Sequence, residues 1–156
     1  MMKFIYRLTM LRSQRMIRDK YGSEFWRQFK NESDKLFKEV LNRTPDIGES
    51  VFSFNYAYAP AYVAWYKTML SLGLDAKQAD ELMWLMNEKM LLTVPKPFLH
   101  MVGKKYLNGF RKKAATHERR QKEGLHPYDW EIAYRDIDDN SFEIDITKCG
   151  FIAFAK

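Results

Sequence analysis

The sequence predicts an α+β fold: a mostly helical N-terminal two-thirds, then a C-terminal antiparallel β-hairpin packed on the helices. Three observations predict it. Up to about Glu123, apolar residues recur at helical spacing between capping and breaking signals. In Asp129–Asp136 and Ser141–Thr147 the period changes to two, with Trp130, Ile132 and Tyr134 and then Phe142, Ile144 and Ile146 alternating with polar residues. Between these runs stands Asp138-Asp139-Asn140, which is turn chemistry. With 156 residues, 1–156 reads as a single α+β domain.

The elements follow in order. Residues 1–20 read as a docked N-terminal helix, with membrane-surface contact as the alternative. Ser23 opens a second helix to about Asn42, with Phe25, Trp26, Phe29, Leu36, Phe37, Val40 and Leu41 as its apolar stripe. Thr44-Pro45-Asp46-Ile47-Gly48 is a break. Phe52–Leu72 is rich in aromatics and contains Pro60. Proline removes a helix hydrogen bond, so a helix either begins at Pro60 or kinks there. Gly73 before Leu74 predicts a left-handed C-cap. Asp75-Ala-Lys-Gln78 predicts a capping box for a helix that buries Ala79, Leu82, Met83, Leu85, Met86 and Met90. Pro95 and Pro97 end it. A further helix runs from Phe98 to about Glu123, almost all polar after Tyr106, and Gly124 and Pro127 stop it. Cys149-Gly150-Phe151-Ile152-Ala153-Phe154 is apolar and is read as the start of another helix.

Composition narrows the class. Hydrophobic residues are 46% and charged residues 29%, the balance of an ordinary globular domain rather than a disordered tail or collagen-like chain. The one cysteine, Cys149, excludes an internal disulfide and fits a reducing, cytoplasmic setting. No stretch reaches the ~18 consecutive apolar residues of a membrane span. Net charge is +6, but it is concentrated. Residues 1–20 set Lys3, Arg7, Arg12, Arg15, Arg18 and Lys20 against Asp19 alone, a net +5. Residues 101–123 set eight cations against Glu118 and Glu123, a net +6. Two such segments read either as solvated helix faces or as a patch for nucleic acid or a membrane surface. No RNA-recognition, zinc-finger or basic-zipper pattern accompanies them, and the expectation is no nucleic-acid partner.

Motifs that carry chemistry are few. Glycine-rich phosphate loops, HExxH, CxxC and GxSxG are all absent from the sequence. His100, His117 and His126 are too dispersed to suggest a metal site, so neither metal nor cofactor is expected. Cys149 is a candidate nucleophile, although a thiol needs a base or a cationic setting to ionise; its plainer reading is a small buried hydrophobe. Glu143 and Asp145 share one face of a strand. Paired carboxylates can divide acid and base roles, whereas their plainer reading is a solvent face. The block Phe52, Phe54, Tyr56, Tyr58, Tyr62, Trp65, Tyr66 reads as a packed core or a pocket lining. Asn55 inside that block is costly to bury without partners, which makes it a polar marker.

Two stretches together carry a resemblance. Phe52-Ser-Phe-Asn-Tyr-Ala-Tyr-Ala-Pro60 with Tyr66 through Leu72-Gly73-Leu74, and His126-Pro-Tyr-Asp129-Trp130 leading into Phe142-Glu-Ile-Asp145-Ile-Thr-Lys-Cys149-Gly150, resemble the L-2-amino-thiazoline-4-carboxylic acid hydrolase-like family. The likeness is strongest from Asp129 to Gly150. It implies a helix-rich α+β domain and hydrolytic opening of a cyclic amidine-like thiazoline ring, in cysteine-related metabolism. Family members usually continue beyond the position of Cys149, so the resemblance implies that 1–156 is C-terminally incomplete; if the missing part helps to build the site, this short form is inactive or only part of a protein. The resemblance transfers no settled catalytic set, so roles are assigned on local chemistry. Asp145 is general base and Cys149 nucleophile or site lining; Asn55, Tyr58 and Trp130 hold the substrate. The alternative is a non-catalytic small-molecule-binding or protein-interaction module of the same fold. Phe151, Ile152 and Phe154 are expected to pack back on the helices or to join two copies as a homodimer through the C-terminal end.

Overall fold

A computed structural model describes residues 2–48, 50–91, 96–138, 141–150 and 152. In chain order the elements are helices α1 (Met2–Arg43), α2 (Ser53–Tyr56), α3 (Ala59–Ser71), α4 (Ala76–Leu91) and α5 (Lys96–Gln121), then strands β1 (Glu131–Asp136) and β2 (Phe142–Lys148). The α+β reading therefore holds: helices first, one antiparallel hairpin last. The chain divides into two units, Met1–Pro45 with Ala57–Val94, and Asp46–Tyr56 with Pro95–Lys156.

The first unit is built from α1, α3 and α4. α1 is broken at Gly22, where φ 89° and ψ 164° are non-helical values that cost glycine little. The break separates the two helices read from the sequence. Ser23 follows it, and its hydroxyl accepts a hydrogen bond from Arg18 Nε at 3.3 Å. Trp26, Phe29 and Phe37 of the expected stripe are buried, with Phe25, Leu36 and Leu41 packed partly against them. Tyr6 stacks on Phe37 at 4.0 Å and on Trp65 at 5.4 Å between ring centroids. Ile17, Phe29, Trp65, Met69 and Leu82 have no exposed surface. Burying a side chain of this size stabilises the fold by about 1.5–3 kcal/mol.

The question at Pro60 resolves as a helix start. α3 begins at Ala59 with proline in its first turn, where a missing N–H costs nothing. Its end is a Schellman motif: Gly73 at φ 91°, Leu74 N–H bonding Met69 O at 3.1 Å and Gly73 N–H bonding Leu70 O at 3.1 Å. The capping box follows at once. Gln78 N–H bonds Asp75 Oδ1 at 2.8 Å, and Asp75 N–H bonds Gln78 Oε1 at 3.0 Å. Ala79, Leu82 and Met86 of α4 are buried, as its periodicity predicts, whereas Met83, Leu85 and Met90 are only half-buried.

The second unit holds α2, α5 and the hairpin. Ile132 pairs with Ile146, Tyr134 with Ile144 and Asp136 with Phe142, placing the alternating apolar residues on one face. The register slips between Ile132 and Glu131, whose partner is Lys148, so Thr147 is an extra residue. The face is only partly covered: Ile132 is buried, whereas Ile146 is exposed. α5 covers the free edge of β1 with side chains. Gln121 Nε2 donates to Ile132 O at 2.8 Å while its Oε1 accepts Ile132 N–H at 2.5 Å. Glu118 Oε1 accepts Tyr134 N–H at 2.6 Å. Arg111 donates to Asp138 O and Ser141 O at 2.7 Å each, pairs with Asp136 at 3.1 Å and lies over the Phe142 ring. The polar half of α5, read as a solvated face, is in part the hairpin's lateral support. At the other end of the hairpin Gly150 is buried, and a Cβ there would stand 2.1 Å from Tyr128 O. Phe151 and Phe154 of the expected tail lie outside the described residues, and Ile152 is exposed.

Candidate functional site

The five residues assigned from local chemistry are spread over both units. Tyr58 belongs to the first. It is buried with Ile5 and Ala57, its hydroxyl lies 3.8 Å from Met90 Sδ, and burial pushes its pKa above the ordinary tyrosine value. The other four belong to the second unit. Asn55 is exposed on α2, so it is not the buried amide its neighbours suggested. Asp145 is also exposed. Arg135 Nη2 lies 3.2 Å from Asp145 Oδ2 and 2.8 Å from Glu143 Oε2, so one guanidinium bridges the two carboxylates. Trp130 is buried and Cys149 half-buried. They flank the terminal Glu131–Lys148 pair, so the register brings these two to the same end of the hairpin.

A different group of residues in the second unit converges more closely. Asp129 is 2% exposed and His117 4%, uncommon values for such side chains unless partnered. Both are satisfied. Asp129 Oδ1 accepts from Ser50 Oγ at 2.6 Å and from Trp130 N–H at 2.8 Å. His117 Nε2 meets Trp130 O at 2.8 Å and lies 4.0 Å from Asp129 Oδ1. A carbonyl only accepts, so Nε2 carries the proton. The Phe52 ring closes over this group, 5.2 Å from Trp130 and 6.3 Å from His117 between centroids. Ser50, His117 and Asp129 are the residue types of a hydrolytic triad, but the bonding is not that of one. The serine donates to the aspartate and the histidine to a backbone carbonyl, so the imidazole that a triad places against the hydroxyl is turned elsewhere.

Above this network is a cleft of about 390 Å³, lined by Ser50, Ser53, Thr116 and His117 with Lys112, Lys113 and Arg120. No carboxylate is among its described lining residues. Its hydroxyls are turned inward: Ser53 Oγ donates to Ser50 O at 2.6 Å and Thr116 Oγ1 to Lys112 O at 2.9 Å. The charge therefore comes from the cations, which α5 places at 112 and 113 and, two turns on, at 120, with Thr116 and His117 on the turn between. Such a wall suits a carboxylate or a phosphate.

His126 is engaged elsewhere. His126 Nδ1 accepts Tyr128 N–H at 3.2 Å within a turn, and the His100 side chain lies outside what is described. Among the described residues no three His, Cys, Asp or Glu side chains cluster to hold a metal. Sequence reasoning missed the Ser50–Asp129–His117 network because 79 residues separate Ser50 from Asp129. The one available signal was Asp129-Trp130 within the resembling stretch. Comparison with known protein families, characterised proteins and solved structures gives no match.

Proposed function

We propose that the chain is a small-molecule-binding protein of the L-2-amino-thiazoline-4-carboxylic acid hydrolase-like kind, taking a carboxylate-bearing ligand in the cleft of its second unit. The observation that carries this reading is the cleft itself, with Lys112, Lys113 and Arg120 over a floor fixed by buried His117 and Asp129. A rigid polar floor under a cationic rim holds a small anion in one orientation, with little left to order on binding. A reducing, cytoplasmic setting is part of the proposal and rests on the single cysteine.

Hydrolytic ring opening is the second reading, and the resemblance favours it. There Asp145 would deprotonate the attacking water and Cys149 would line the site. Against it stands the placement of Asp145, exposed and bridged to Glu143 by Arg135, which keeps the carboxylate engaged on the solvent side of the hairpin.

One experiment separates the readings. 2-Amino-thiazoline-4-carboxylate and its decarboxylated analogue are titrated into the full chain by calorimetry, with mass spectrometry for ring opening. Binding of the carboxylate alone, weakened by about tenfold in Lys112→Ala/Lys113→Ala, equivalent to about 1.4 kcal/mol, supports the binding module. Ring opening that survives in Asp145→Asn but not in the double-lysine variant places hydrolysis in the cleft. Equal affinity for both compounds, or none for either, overturns the proposal.

A further inference from the structure

We propose that the first half of α1 is a docking face for anionic phospholipid bilayers. The argument starts from which side of this helix is already used. Ile5, Tyr6, Thr9, Met10, Ser13 and Ile17 are buried, so they define the inward side. At 3.6 residues per turn, Phe4, Arg7, Leu11, Arg15 and Arg18 fall together on the opposite side. Phe4 is 69% exposed and Leu11 68%. Two large apolar side chains thus stand in water, each about one turn from Arg7 or Arg15, with Arg18 two turns beyond Leu11.

The charge is one-sided. Asp19 is the only acid in residues 1–20, and it lies at the end of the stripe, 3.7 Å from Arg15. Beside the stripe runs a groove of about 700 Å³. Lys3, Arg7 and Leu11 form its near bank, and Lys30 and Lys38 stand on the far bank. Asp34, the one acid among its described lining residues, is engaged by the Tyr6 hydroxyl at 2.9 Å and by Lys30 at 2.7 Å. Cations therefore flank an apolar strip along about 22 Å of helix, from residue 3 to residue 18.

A bilayer is the partner that uses both components. Arginine and lysine near the surface meet anionic headgroups, while Phe4 and Leu11 reach the acyl boundary. A nucleic acid would use the arginines and Phe4, but Leu11 offers no π face for a base to stack on. No described helix is long and apolar enough to cross a membrane, so α1 would lie along the surface.

The test uses the full chain and sedimentation with vesicles of phosphatidylcholine, with and without about one-third phosphatidylserine. Binding is expected to the mixed vesicles only and to disappear at high salt. Phe4→Ser/Leu11→Ser should weaken it by about tenfold or more, because each side chain gives up apolar burial. Arg7→Gln/Arg18→Gln should weaken it by about fivefold per cation. All four side chains are exposed, so melting temperatures should not move; the arginine variant serves if the other fails to fold. Equal binding to both vesicle types, unchanged binding by the Phe4/Leu11 variant, or tighter binding to a single-stranded RNA than to the vesicles overturns the proposal.

Discussion

The two units hold themselves together by different means. In the first, rings and aliphatic side chains interlock: Tyr6 on Phe37 and Trp65, with Phe29, Met69 and Leu82 fully enclosed. In the second, polar side chains reach backbone: Gln121 to Ile132, Glu118 to Tyr134, His117 to Trp130, Ser50 through Asp129 to Trp130. Apolar packing is non-directional and tolerates small shifts, whereas a buried polar group without its partner is costly. The first arrangement suits a scaffold. The second fixes a few groups at set distances, which a binding cleft needs.

The sharpest break in the first unit is Trp65→Ala. It empties the space between α1 and α3, and urea denaturation should show a loss of about 3–5 kcal/mol. In the second unit Asp129→Ala strands the Ser50 hydroxyl and the Trp130 N–H, so a smaller loss of about 2–3 kcal/mol is expected. Its sharper signature is ligand affinity, which should fall with stability here and stay unchanged in a folded Trp65→Phe control.

Gln121→Ala probes the lateral support of β1. One amide serves both backbone groups of Ile132, and the expected cost is about 1–2 kcal/mol. Hydrogen exchange at the Ile132 N–H should accelerate, while amides that face β2 keep their protection.

Alkaline pH acts on both units through tyrosine. Burial raises the Tyr56 hydroxyl to about 12, helped by the nearby Tyr128 and Asp46, from an ordinary value of 10.0. In the first unit burial and Asp34 push Tyr6 higher still. Folded chains keep protons that unfolded chains lose above pH 10, so stability is full below pH 10 and falls as pH rises towards 12. Melts at increasing pH, followed with tyrosinate absorbance, should show late ionisation coinciding with unfolding.

The smallest effect belongs to Asp145→Ala. An exposed carboxylate on a two-stranded face should change stability by no more than about 0.5 kcal/mol. A loss of ligand binding in this variant would move the site from the cleft to the hairpin face and undo the comparison between the units.

Much of the fold was legible because its signals are local. Gly73, Asp75 and Gln78 state a helix end and a helix start within six positions, and Ile132, Tyr134, Ile144 and Ile146 state their strands by alternation. The candidate site was less legible because its members meet only through tertiary structure. His117 looked like one of three scattered histidines, Ser50 had no motif around it, and Gln121 and Glu118 looked like solvated helix residues. Asn55 misled for the opposite reason. Its aromatic neighbours suggested burial, but α2 is one turn long and turns that position outward.

The junction between α3 and α4 has a consequence for the order of folding. From Met69 to Gln78 every bond of the Schellman motif and the capping box closes within five residues. Loops this short close in well under a microsecond, and little chain entropy is lost before the contacts form. Closing Ser50 onto Asp129 instead brings together positions 79 apart. The α3–α4 pair should therefore be structured in the folding transition state and the Ser50–Asp129 bond absent from it. Gly73→Ala would slow folding, whereas Ser50→Ala would chiefly speed unfolding.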